Sequence, residues 1–118
     1  MTVFLVFPYF FLFTPLPSPF SQTGNGWTAL MGAAAEGYDT IIPLLLEADA
    51  QIDAQENDEW TPLIFASVMG KEAAVRELLK GNPNLDLKDK YNGKTALDWA
   101  RQKNYQSIVD LLVNHERS

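Results

Sequence analysis

Apolar and polar positions recur along this chain with a long period. Thr28, Thr61 and Thr95 each precede a short run of apolar and small residues, and they are spaced by 33 and 34 residues. The runs are Gly26-Trp27-Thr28-Ala29-Leu30-Met31-Gly32-Ala33, Glu59-Trp60-Thr61-Pro62-Leu63-Ile64-Phe65-Ala66 and Gly93-Lys94-Thr95-Ala96-Leu97-Asp98-Trp99-Ala100. Each is followed by a turn position and then a second apolar stripe. Gly37, Ile42, Leu45 and Leu46 continue the first copy; Gly70, Val75, Leu78 and Leu79 the second; Asn104, Val109, Leu112 and Val113 the third. Such a period marks a stack of repeated units.

Each unit predicts two helices. The threonines are N-caps, whose hydroxyls accept an orphan backbone N–H. Pro62 suits a first helical turn, and Thr95 with Asp98 has capping-box spacing. Ala33, Ala34, Ala66 and Ala100 let the first helix pack closely. Gly37 and Gly70 suit a left-handed residue between the helices. Leu45, Leu46, Leu78, Leu79 and Leu112 form the stripe of the second helix. In the second unit Ala73, Val75, Leu78 and Leu79 share one face, and Lys71, Glu72, Arg76, Glu77 and Lys80 the other. One unit cannot bury its own stripe, so the units must stack.

Three places depart from regularity. Pro43 is expected in the first turn of its helix, behind Asp39 or Thr40. Glu59 stands where Gly26 and Gly93 hold the equivalent positions, which implies strain or a reshaped turn tip. Asn57-Asp58 and Asn92-Gly93 are turn signals. The stretch ending in Gly93 is one residue longer, which pushes Tyr91 outward.

These positions, from about Thr23 to Asn114, resemble the ankyrin repeat: T-P-L at the start of a first helix, a glycine turn, then V-x-x-L-L in a second. The resemblance implies an all-α solenoid of stacked helix-turn-helix pairs joined by β-hairpin-like fingers. Its domain would be 23–118, with repeats at about 23–54, 55–87 and 88–118. The His that the family carries after T-P-L is replaced by Met31, Ile64 and Asp98, which implies weaker internal bonding, and the Gly with which it usually ends the second helix is Asp49 in the first unit, which implies weaker local stability there.

Composition and charge exclude some functions. Net charge is −6 with a pI of about 4.6, which argues against free nucleic acid as a partner. Residues 1–54 carry −5 and residues 55–118 carry −1. The acidic residues read either as solvated helix faces or as an end that steers a basic partner. Without cysteine there is neither a disulfide nor a Cys-ligated metal. His115, the single histidine, is expected in a frayed end, so no catalytic triad is available. Gly24-Asn25-Gly26 lacks the Lys-Ser/Thr of a phosphate loop. No enzyme activity, cofactor or metal is expected.

Residues 1–22 have no charged side chain and hold six of the seven phenylalanines. Their apolar run, Val3 to Phe13, is interrupted by Pro8 and followed by a Pro-rich stretch. A secretory signal is one reading, although no basic residue precedes the run. A membrane span is another, but the run falls short of the roughly 18–20 residues required. The third is a leader or flap over the first unit, or a truncated leader on a longer array. A cytoplasmic location is expected, or secretion if the segment is a signal.

The resemblance implies function by surface presentation. In the family the partner is held by the finger tips and the exposed side of the first helix. By position these are Asn25, Trp27, Ala35 and Glu36 on the first unit. On the second they are Asn57, Asp58, Trp60, Val68 and Met69, and on the third Tyr91, Asn92, Lys94, Gln102 and Lys103. Trp27 and Trp60 share a slot, either as binding anchors or packed on the neighbouring finger. Phe65 and Trp99 share another and are expected in the core. The expected function is a protein–protein interaction module with an unidentified protein partner. Alternatives are a secreted or tethered effector and a recruitment fragment of a larger protein. A homodimer through an uncovered first unit is also left open.

Overall fold

The computed structural model describes residues 27–117. The segment 1–22, with its three readings, lies outside them. The described chain forms six helices: α1 (Ala29–Glu36), α2 (Ile41–Glu47), α3 (Pro62–Val68), α4 (Glu72–Lys80), α5 (Ala96–Lys103) and α6 (Gln106–Arg117). They pair as α1–α2, α3–α4 and α5–α6. The first helices α1, α3 and α5 are neighbours in one layer, and α2, α4 and α6 in the other.

The starts follow the sequence. Thr28 Oγ1 accepts the Met31 N–H at 3.2 Å, and Thr61 Oγ1 the Ile64 N–H at 3.1 Å. Thr95 Oγ1 accepts the Asp98 N–H at 3.2 Å, while Asp98 Oδ2 accepts the Thr95 N–H at 3.1 Å, completing the capping box. Each such cap contributes about 1 kcal/mol. Pro62 opens α3, where no intrahelical N–H is missed.

The ends repeat as well. The N–H groups of Tyr38, Lys71 and Tyr105 donate to the carbonyls of Ala33, Ala66 and Ala100 at 2.9, 2.9 and 3.0 Å. This is one helix-to-helix turn made three times. Its left-handed residue is Gly37 (φ 78°), Gly70 (φ 72°) and Asn104 (φ 63°). At Gly70 a side chain would also meet the Tyr105 ring, 3.0 Å from the position of a Cβ. Gly81 has an ordinary φ, but a Cβ there would lie 2.6 Å from Ile52 Cδ1. It serves close approach between units.

Burial explains the apolar periodicity. Val75, Leu78 and Leu79 of α4 are buried, as are Ile42 of α2 and Ile108 and Leu112 of α6. Between the layers lie Leu30, Ala33, Ala34, Leu63, Ala66, Ala74, Ala96 and Ala100. On the outer face of α4, Glu72 pairs with Arg76, and Glu77 with Lys80 at 3.0 Å. Exposed pairs of this spacing contribute only a few tenths of a kcal/mol each. Met31 and Ile64, in place of the family's histidine, are fully buried, so two of the three substitutions turn a polar position into core.

The structure corrects three expectations. Leu45 and Leu46 are only half-buried, and Leu44 and Ile41 beside them are 63% and 42% exposed. The short α2, with Pro43 in its first turn and no side-chain bond from Thr40, therefore has an apolar outer side. His115 is not in a frayed end: α6 continues to Arg117, and the His115 Nε2 lies 3.3 Å from Asn82 Oδ1. Phe65 and Trp99 are half-buried, outside the fully enclosed core. Their rings are packed by other rings at its edge.

Candidate protein-binding face

The fingers between units are turns, and no strand forms among the described residues. They are hairpin-like in their pairing. Glu56 N–H donates to the Trp60 carbonyl at 3.1 Å, and Asp89 N–H to the Lys94 carbonyl at 3.0 Å. A carboxylate organises each tip. Glu56 Oε1 accepts the N–H groups of Asp58 and Trp60 at 2.8 and 2.9 Å. Asp89 Oδ1 accepts the Lys94 N–H at 2.8 Å, and Oδ2 accepts both the N–H and the side-chain amide of Asn92 at 3.0 Å. Glu56 and Asp89 are 33 residues apart, so this too is a repeated device. Neither was singled out from the sequence. The signal was an acidic residue three positions after Asp53 and again after Asp86.

Asp89 is almost fully enclosed, at 3% exposure. Burial is the largest single influence on its carboxyl and pushes its pKa up. The bonds from Lys94 and Asn92 together outweigh burial and hold it below the ordinary value. The buried indole N–H of Trp99 lies toward this carboxylate and favours its charge. It falls short of hydrogen-bond geometry, so its influence on the carboxylate is electrostatic.

The two fingers are tied together. Lys90 N–H donates to the Asp58 carbonyl at 2.8 Å. Behind the tips, the Asn84 N–H donates to Asp53 Oδ1 at 2.9 Å. Of strain and a reshaped tip, the backbone shows the first: Glu59 is left-handed at φ 66°, matching Gly93 at 62°.

Across the base of the fingers runs a ladder of aromatic rings. Trp27 and Phe65 have centroids 4.6 Å apart, Phe65 and Trp60 5.0 Å, and Trp60 and Trp99 5.5 Å, all tilted. Lys94 Nζ lies 4.8 Å from the centroid of Trp99. The tilted spacings are those favoured by aromatic quadrupoles, so each contact adds about 0.5–1.5 kcal/mol beyond area burial. Trp27 and Trp60 thus pack on Phe65 of α3, with their rings half-buried. Phe65 and Trp99 both follow a capping threonine by four residues, and Trp27 and Trp60 precede one by a single residue. That shared register was the available signal for the ladder.

The predicted residues distribute unevenly. Asn57, Asp58, Tyr91 and Asn92 are exposed at the tips, Tyr91 at 74%. Glu36, Gln102 and Lys103 are exposed near the ends of α1 and α5, and Met69 follows α3 at 53%. Ala35 is half-buried, and Val68 is half-buried against the core. Lys94 is half-buried under its contact with Trp99. Asn25 lies outside the described residues. Among the described residues Trp27, Asp58 and Trp60 of the set come together in one cleft, of about 320 Å³, which Glu56 and Phe65 complete. Among the described residues no group of three acidic or imidazole side chains converges as a metal site would require. None of the described helices is long and apolar enough to cross a membrane.

Stacked helix pairs with a translated cap, turn and finger define a helical repeat solenoid, with one face made of finger tips and first helices. The chain belongs to the ankyrin-repeat family. The family described as "Ankyrin repeats (3 copies)" matches it over residues 10–89 and again over 33–118. It is also similar to protein phosphatase 1 regulatory subunit 12A of Mus musculus and of Rattus norvegicus. Each is 40% identical over 76 residues, which is 64% of this chain. That match spans 7% of the length of either relative.

Proposed function

We propose that this chain is a protein-binding module whose partner lies across the finger tips and first helices, with Trp60 and Met69 as apolar anchors. Ankyrin repeats are generally protein-interaction modules. The observation that carries the placement is the half-open aromatic ladder. Four large rings are held at the surface by one another and by rigid fingers, so little side-chain entropy is lost on binding. Trp and Met are frequent anchors of interfaces. Among the carboxylates of the face, those of Glu56 and Asp89 are engaged in shaping turns.

The test is capture of partners from lysate by the wild-type chain, followed by titration of the captured protein. Trp60→Ala should weaken binding by about 2 kcal/mol, roughly 30-fold. Because Trp60 also packs on Phe65 and Trp99, the exposed Met69→Ala is the companion variant, with a smaller loss and an unchanged melting temperature. Unchanged affinity in both variants would remove this face from the interaction.

A second reading is favoured by the relatives. They are named as regulatory subunits of protein phosphatase 1, and the matching region is a small part of each. The same module would then recruit a partner for a larger polypeptide. A phosphatase catalytic subunit among the captured proteins would favour this reading over a free-standing module.

A further inference from the structure

The finger at 89–94 carries a reactive pair at its tip. Asn92 is followed by Gly93, and both are exposed. An asparagine side chain can be attacked at Cγ by the backbone nitrogen of the next residue, and a side chain on that residue crowds the approach. Gly93 has none, and a Cβ placed there meets no atom within 4 Å. The other described asparagines precede Asp58, Pro83, Leu85, Tyr105 and His115. A side chain shields the nitrogen in each of these, and Pro83 has no N–H to lose. Asp89 holds both reacting groups of the exposed pair. Its carbonyl accepts the Gly93 N–H at 3.2 Å, and its Oδ2 accepts the Asn92 side-chain amide at 3.0 Å. A carboxylate only accepts, so the amide turns its nitrogen toward it. The buried Asp89 also takes the backbone N–H groups of Asn92 and Lys94, which fixes the tip while the turn is closed.

We propose that Asn92–Gly93 is a site of spontaneous amide-to-acid conversion, gated by Asp89, through which the finger loses its latch. The Gly93 nitrogen gives up its proton and bonds to Asn92 Cγ. The Cγ–Nδ2 bond breaks, and ammonia leaves with the proton. Water then opens the five-membered imide at either carbonyl, to aspartate or isoaspartate, with no change of oxidation state. In the closed finger the attacking N–H and the leaving amide are both engaged by Asp89. The reaction therefore runs from the locally open finger, at the rate of a free chain multiplied by the open fraction. The product does not restore the contact. A carboxylate at 92 sets acceptor against acceptor where Asn92 Nδ2 now meets Asp89 Oδ2, and like charges so close repel. Isoaspartate also adds a carbon to the main chain. The change is one-way, because the ammonia is lost to solvent.

Peptide mapping by mass spectrometry tests this on the full chain, incubated at neutral pH and sampled over time. Conversion at Asn92 should be at least about fivefold faster when the wild type is unfolded in urea than when it is folded. Asp89→Ala, which frees both nitrogens, should raise the rate at Asn92 by a similar factor in native buffer. The rate at Asn25, which also precedes a glycine, is the internal reference and should not respond to Asp89→Ala. If that variant does not fold, the comparison of folded and unfolded wild type still decides. Equal rates in folded and unfolded wild type, no conversion at Asn92 in urea, or a folded Asp89→Ala that converts no faster would each overturn the assignment. The loss of the latch has its own test. Asn92→Asp installs the product, and Asn92→Ala removes the same amide without adding charge. The aspartate variant should melt below the alanine variant, and equal or higher melting would overturn that consequence.

Discussion

Glu59 is the residue at which sequence and backbone disagree most sharply. It has φ 66°, where the equivalent Gly93 has 62°. A left-handed conformation costs an ordinary L-residue about 1–2 kcal/mol. The bonds that hold it are backbone ones: its N–H donates to the Glu56 carbonyl at 2.8 Å, and its carbonyl accepts the Gln55 side-chain amide at 3.0 Å. Both survive truncation of the side chain. Glu59→Gly should therefore stabilise the fold, by about 0.5–1 kcal/mol after the greater freedom of glycine in the unfolded chain is set against the relief. Urea titration checks this, and a lowered midpoint would contradict it. Glu59 was legible as a misplaced non-glycine because Gly26 and Gly93 share its slot, and Asp49 only through the resemblance to the family. Asn82, also left-handed at φ 56°, was legible only as part of a turn. Its counterpart one unit earlier is Asp49, 33 residues before it and also left-handed at φ 65°.

The finger is the element that turns a stack of helices into a surface, and a carboxylate holds each one. Asp89 gathers three bonds from two residues, so its loss leaves the Lys94 N–H and both Asn92 donors without their acceptor. Asp89→Ala should cost about 1–3 kcal/mol. The pH dependence has a definite sign. The folded-state pKa of Asp89 lies below its ordinary value of 3.8. Its contribution is therefore fully present above that value and is lost as pH falls through the lowered folded value. The stability gap between wild type and Asp89→Ala, followed by thermal melts, should be constant near neutrality and close in strongly acidic solution. A gap that widened on acidification would contradict this assignment. Helix caps and turns were readable because local rules place them: threonine, proline and glycine act within a few residues of themselves. The carboxylate latch and the aromatic ladder were less so. Phe65 looks like core from its position in α3, and only the approach of Trp27 and Trp60 from adjoining fingers makes it part of the face.

Over the whole molecule the charges divide with the units. The acidic stretch through Gly70 supplies the first finger and its cleft, and the basic residues lie on the later units and in the outer layer. The long period announced the fold because each unit needs its neighbour to bury Val75, Leu78 or Leu112. The binding face is set by what the stack leaves half-covered, which no single unit specifies. Hydrogen–deuterium exchange of the chain with and without a captured partner tests this division most directly. Backbone amides at 56–60 and 89–94 should gain protection in the complex, while those of α4 and α6 should be unchanged. Protection confined to α4 and α6, with the finger amides exchanging as in the free chain, would contradict it.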